Sequence, residues 1–493
     1  MFIFLILIFV SSFNKSFSSY IILPFKSENS MVDFIQAKYD IGLYTYMELG
    51  EPRQKIKVYF RDDFFSFFIM NKDTTYNDEE IKEKNTINIP DVKKKVKIDN
   101  LYNNKISSTY ENISNYKNFF IDIYYRKGFL SSEKFYFNKK YENTEEKSDK
   151  IEFVLVNKIK PNRTLISGAI GLLVDEYFLE GAQSFPRMLV KNNITSFCIW
   201  SKIYNDDKNG IFIFGDFPHV LLKDKFYKEQ YVETNIKLNV YIQKWNIDFN
   251  EIFMHITNNN FNNNNNGMNS NDTYNYFYLN KTLYGELKHN LGLIIGTLEY
   301  QNLIEDIFFN AYIKDGICYK NKILINDFND IGKNFTYYNC NKDKSFNKES
   351  FPKLFFKQND LKYIFELNDK DLFIPYDNRW YFLIIFEGEE TADYIHKWMF
   401  GEPLLKKYSF VFDPINYKIG FYNPLIPIMK KEKSIKSNET NNVYNYKKVI
   451  YFAIIILFTI FLILLLKFVK NSQKNKIDNR PYTELQNITI QKE

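Results

Sequence analysis

Leu49–Ile69 reads LGEPRQKIKVYFRDDFFSFFI. Gly50 and Pro52 mark a tight turn, since glycine accepts unusual φ values and proline presets its own. Ile56, Val58 and Phe60 then alternate with Lys55, Lys57 and Arg61, the period of a half-buried strand. Arg61, Asp62 and Asp63 form a short charged link, and Phe64–Ile69 is a second apolar run. Two short strands around a charged link predict a β-rich chain.

The blocks further along have the same character. Asn118–Phe137 (NFFIDIYYRKGFLSSEKFYF) predicts a hairpin, and Ser167–Phe217 predicts a short buried strand at Ile170-Gly171-Leu172, a helix starting near Pro186, and a second hairpin. Leu287–Tyr300 (LKHNLGLIIGTLEY) repeats the pattern of apolar run, polar link, apolar run. Trp398–Pro424 (WMFGEPLLKKYSFVFDPINYKIGFYNP) closes the series.

Together these blocks resemble the pepsin-like aspartic proteases, over roughly Lys38 to Pro424. The resemblance implies an all-β bilobal fold with short helices, its lobes at 38–235 and 236–424. The family's Gly-x-Pro-x-Gln turn is matched by Gly50, Pro52 and Gln54, and its closing Trp-x-apolar-Gly-Asp by Trp398–Glu402, with Glu402 for the Asp. Counting from Pro52, or back from Phe67-Phe68-Ile69, puts the first catalytic Asp of the family on Arg61. Gly292, Ile294, Ile295 and Gly296 put the second on Asn290; a shift of one would put His289 there. Tyr125 matches the flap tyrosine, Gly128 and Leu130 its Gly-x-Leu, and Glu133 the acidic residue after it. Only Arg126 and Lys127 separate Tyr125 from Gly128, so the expected flap is short by about four residues. Cys318 and Cys340 flank an expected second-lobe hairpin, and the family's second-lobe pair ends at a similar place, so a Cys318–Cys340 disulfide is expected, with Cys198 a buried thiol.

The ends carry other signals. Residues 1–19 read as a secretory signal peptide. Residues 20–37 read as a short pro-like segment, able to add an edge strand to the sheet between the lobes. An Asn-rich tract at 258–272 reads as a disordered insertion, 425–448 as a stalk, 449–466 as a transmembrane helix and 467–493 as a cytosolic tail. This predicts a single-pass type I protein of the secretory pathway or cell surface, its large part lumenal. Tyr482 to Leu485 matches a tyrosine-based sorting signal.

Composition excludes several classes. The net charge is +6, from 65 basic and 59 acidic residues, but the signs are interspersed, so nucleic acid is not an expected partner. His219, His255, His289 and His396 are scattered, each expected to be structural or exposed, and no spacing marks a metal or other cofactor site. Nucleophile motifs such as Gly-x-Ser-x-Gly are absent. The family mechanism needs two carboxylates sharing a proton, and Arg61 and Asn290 cannot supply them. Asp62 and Asp63 were expected to pair with Arg61 at an idle floor. The leading expectation is therefore a catalytically inactive homologue that binds a polypeptide partner, in the cleft or on the lobe surface. The alternatives are an active membrane-anchored endopeptidase using Asp62 or Asp63, and a trafficking receptor.

Overall fold

Gln54–Arg61 is a strand, and its alternation is realised: Ile56, Val58 and Phe60 are buried while Lys55 is exposed. It belongs to a mostly β chain, seen in a computed structural model that describes residues 20–28, 33–62, 67–76, 86–88, 95–97, 100–113, 117–119, 126–137, 147–159, 166–172, 185–191, 199–203, 209–222, 226–234, 245–256, 275–279, 283–325, 332–342, 345–358, 361–388, 397–413 and 418–424. The chain divides into two compact units, Met1–Ile426 and Pro427–Glu493. The second lies outside the described residues, as do residues 1–19, the tract 258–272, Cys198, and the 449–466 run and Tyr482–Leu485 within that second unit. Among the described residues no helix is long and apolar enough to cross a membrane.

One strand arrangement occurs twice. In the first half, Gly168–Gly171 lies between Gln54–Arg61, to which it is parallel, and Phe67–Tyr76, to which it is antiparallel. In the second half, Lys397–Phe400 lies between Leu283–Leu287, parallel, and Ile294–Gly296, antiparallel. Each frame thus takes a strand from far along the chain and inserts it between two that are close in sequence. The loops that cross the ends of the frames are the Arg61–Asp62 corner and the turn at 288–293.

The halves also share a sheet. Val411–Asp413 pairs with Ile199–Ile203, and Lys418–Tyr422 pairs with Tyr231–Thr234. Beneath, the core is aromatic: Phe60 stacks on Phe212 at 4.1 Å, and Trp398 lies 5.3 Å from Phe356 and 5.2 Å from Tyr300. Each such buried ring is worth about 1.5–3 kcal/mol relative to exposure.

Three expectations need correction. Ile21–Ser27 is an interior strand, not an edge: it pairs with Asn209–Phe214 along Ile21–Lys26 and meets Leu43–Leu49 at Lys26 and Ser27. Its Ile21, Leu23 and Phe25 face is buried, and on the other face Ile22 is buried while Pro24 and Lys26 are exposed. Residues 71–117, whose polar sequence and charge runs read as a surface insertion with some strand, contain a buried side chain. Tyr102 is fully buried, and both amide ends of the Gln54 side chain hold Asn103, with Nε2 donating to its carbonyl at 3.0 Å and Oε1 accepting from its N–H at 2.8 Å. Finally, Arg126 and Lys127 are not a hairpin tip. They lie within the strand Arg126–Phe137, paired with Phe119 and Asn118 on one side and with Ile159 and Lys158 on the other. Residues 120–125, Tyr125 among them, lie outside the described residues. Gly128 is a ladder glycine, where a Cβ would meet the Leu155 carbonyl oxygen at 2.5 Å.

Cys318 and Cys340 face each other across the antiparallel strands Cys318–Ile325 and Lys333–Asn341, and a disulfide joins them.

Candidate functional site

The two loop corners meet at Asp62. Its Oδ1 lies 2.9 Å from His289 Nδ1, and its Oδ2 accepts from the backbone N–H groups of His289 and, at 3.1 Å, Asn290. Asp62 is 4% exposed and His289 3%, so these hydrogen bonds form away from solvent. A carboxylate is an acceptor at every lone pair, and three N–H groups converging on one suit it well. The Nδ1–H tautomer of His289 fits the contact. The imidazole lies among Phe212 and Phe412, ring centroids 5.4 and 4.9 Å away. Its Nε2 has no hydrogen-bond partner among the described residues.

Arg61, one residue earlier, points to a different acid. Its Nη1 donates to Asp40 Oδ2 at 2.7 Å, and Arg61 is 5% exposed. The expected pairing of Arg61 with Asp62 is therefore not the one formed. Adjacent residues at a strand end point in opposite directions, so Arg61 and Asp62 part, one toward residues 33–42 and the other toward the second loop. Asp63 lies outside the described residues.

Asp40 follows a short helix, Phe34–Tyr39, capped by Asp33, whose Oδ1 accepts from the N–H groups of Ile35 and Gln36 at 2.8 and 3.1 Å. This helix is docked by its apolar side chains: Ile35 is fully buried among Leu291, Leu293, Ile295, Phe335 and Ile385, and Phe34 and Tyr39 pack against the same cluster, Tyr39 at 5.3 Å from Phe335. Two backbone hydrogen bonds then tie the segment to the second loop, Ile41 N–H to the Asn290 carbonyl at 3.0 Å and Gly292 N–H to the Lys38 carbonyl at 2.7 Å. Gly292 has to be glycine here, because a Cβ would meet Lys38 and Ile41 atoms at 2.8–2.9 Å. Lys38 Nζ, its side chain 10% exposed, reaches Glu402 Oε2 at 3.2 Å. Burial, and after it the charge of Asp33, pushes the Tyr337 hydroxyl above its ordinary pKa.

The site therefore brings Arg61 and Asn290 to the two corners, as the spacing predicted, but it adds Asp40, Lys38, Glu402 and His289. In the sequence Glu402 stands only as a change from the family's Asp, and His289 as a scattered histidine and the one-residue-shifted alternative to Asn290. Their partners lie far away in sequence, Lys38 being 364 residues from Glu402, and no local pattern marks such a pair. Chemically, both oxygens of Asp62 are taken by N–H donors, and the carboxylates of Asp40 and Glu402 are each held by a cation. Charge at this floor is neutralised in pairs, between segments rather than on a shared proton. No family model matches this chain, and no curated protein matches it either.

Proposed function

We propose that this chain is a catalytically inactive pepsin-like protein that serves as a polypeptide-binding scaffold. The paired strand frames, the Gly50–Gln54 turn and the Trp398–Glu402 closing block support the family reading. The observation that carries the functional reading is the occupation of the floor by the chain's own residues 33–42. The backbone of Asn290 and Gly292 is hydrogen bonded to Lys38 and Ile41, and Arg61 is held by Asp40. A surface whose backbone N–H and carbonyl groups bond another backbone segment in this way suits polypeptide recognition. A pair of carboxylates able to hold one proton between them is not what these residues supply. The run 449–466 and residues 1–19 support a lumenal scaffold held by one membrane span.

The test is incubation of the purified protein with a diverse peptide library between about pH 4 and about pH 7, followed by mass spectrometry of bound peptides and of new termini. Peptides retained intact are the expected result. Cleavage by the wild type that Asp62→Asn abolishes would overturn the reading.

A further inference from the structure

Lys38 also lines a cavity of about 250 Å3. It sits between the short helices Asp369–Leu372 and Glu402–Tyr408, with Lys38 closing one wall. Its floor is apolar, formed by Phe373 and Leu383, 5% and 7% exposed. Its walls carry four ammonium groups, Lys38, Lys370, Lys406 and Lys407, and two carboxylates, Asp371 and Glu402. Both carboxylates are committed. Glu402 holds Lys38, and Asp371 Oδ2 accepts from Lys407 Nζ at 2.7 Å and from the Asn368 N–H at 2.9 Å, as the capping acid of its helix. Among the described residues of the lining, four cations stand against two anions, an excess of two positive charges. The exposed lysines, Lys370 and Lys406, stand at the mouth.

We propose that this cavity binds an acidic segment of a partner polypeptide. A bulky apolar side chain of the segment covers the Phe373–Leu383 floor, and a neighbouring carboxylate sits between Lys370 and Lys406. The charge excess selects an anion, and the apolar floor selects against a bare one, since an inorganic anion would leave that surface uncovered. A cavity of this size accommodates one or two side chains, not a folded surface. Lys38 gives the site a connection to the floor described above. Its side chain lines the cavity, while its carbonyl accepts from the Gly292 N–H. The proposal stands whether or not that floor is catalytically idle.

The experiment is fluorescence anisotropy with the full chain and a labelled eight-residue peptide built around Glu-Phe-Asp, beside its Gln-Phe-Asn isostere and a Glu-Ser-Asp version. The double variant Lys370→Glu/Lys406→Glu changes only exposed side chains. Lys72→Glu/Lys322→Glu, also exposed and remote from the cavity, has the same net charge. Thermal melts confirm that both variants fold. The expected result is saturable binding of the acidic peptide. It weakens at least tenfold in Lys370→Glu/Lys406→Glu, less than twofold in the reference variant, and at least fivefold when either Phe or the acids are replaced in the peptide. Absence of binding, equal weakening in both variants, or equal binding of the isostere overturns the proposal. So does self-association of the chain that the Lys370/Lys406 variant abolishes without any uptake of peptide, since the occupant would then be a second copy.

Discussion

Asp62 is the acceptor for three N–H groups from the second loop, and removing it strands all three in a buried place. Asp62→Ala is expected to cost about 3 kcal/mol or more in urea unfolding. Asp62→Asn keeps one oxygen and recovers part of that loss. If both variants unfold at the wild-type midpoint, the contact contributes nothing between the two loops. The Arg61–Asp40 pair makes a complementary case. Truncating either partner leaves a charge largely shielded from water, so Arg61→Met and Asp40→Asn are each destabilising, while the double variant loses less than their sum. A double-mutant cycle is expected to return a coupling of about 1–3 kcal/mol; strict additivity would show that the two do not interact. Positions 61 and 290 are singled out by the resemblance, whose turn and apolar runs count to them. Their partners are not. Asp40 lies 21 residues before Arg61 and His289 lies 227 residues after Asp62, and nothing local in either segment announces the contact.

Among the elements, strands were legible where one face is wet. Gln54–Arg61 alternates as read as far as Phe60, with Arg61 buried instead of exposed, whereas Ile21–Ser27 gave an apolar run that says nothing about edge or interior. The hairpin expected within Asn118–Phe137 is present, with Gly128 inside its second strand. The reason for that glycine, the approach of Leu155 from a neighbouring strand, is a tertiary fact. The helix Pro218–Leu221 carries a testable element of its own. His219 Nδ1 lies 2.7 Å from the Tyr422 hydroxyl, which also accepts from the His219 N–H at 3.2 Å. Burial, and after it the charge of Lys228, holds this imidazole below its ordinary value of 6.5, with Asp216 and Glu229 opposing weakly. The unfolded chain therefore takes up the proton first. Stability from this group is complete above the ordinary value and declines as pH falls below it. Unfolding midpoints should fall on acidification from about pH 7.5 to about pH 5.5, and His219→Asn should flatten that slope. An unchanged slope would place the titration elsewhere.

For the whole molecule, the resemblance implies two lobes at 38–235 and 236–424, while the chain from Met1 to Ile426 forms one compact unit that holds the strand frame twice. The halves are nevertheless not self-sufficient. The last strands, Val411–Asp413 and Lys418–Tyr422, pair with Ile199–Ile203 and Tyr231–Thr234. Separately expressed fragments 20–235 and 236–424 are expected to aggregate through these open edges, and their co-expression to give a soluble one-to-one complex on size exclusion. A monomeric, cooperatively melting 20–235 fragment would contradict this. The same pairing bears on how the chain is made. A ribosome adds about 5–20 residues per second. The roughly two hundred residues between Ile203 and Val411 therefore take about 10–40 s to synthesise. For that interval the first half waits with an unfinished sheet, and whatever attends the nascent chain must shield the Ile199–Ile203 edge until its last partner emerges.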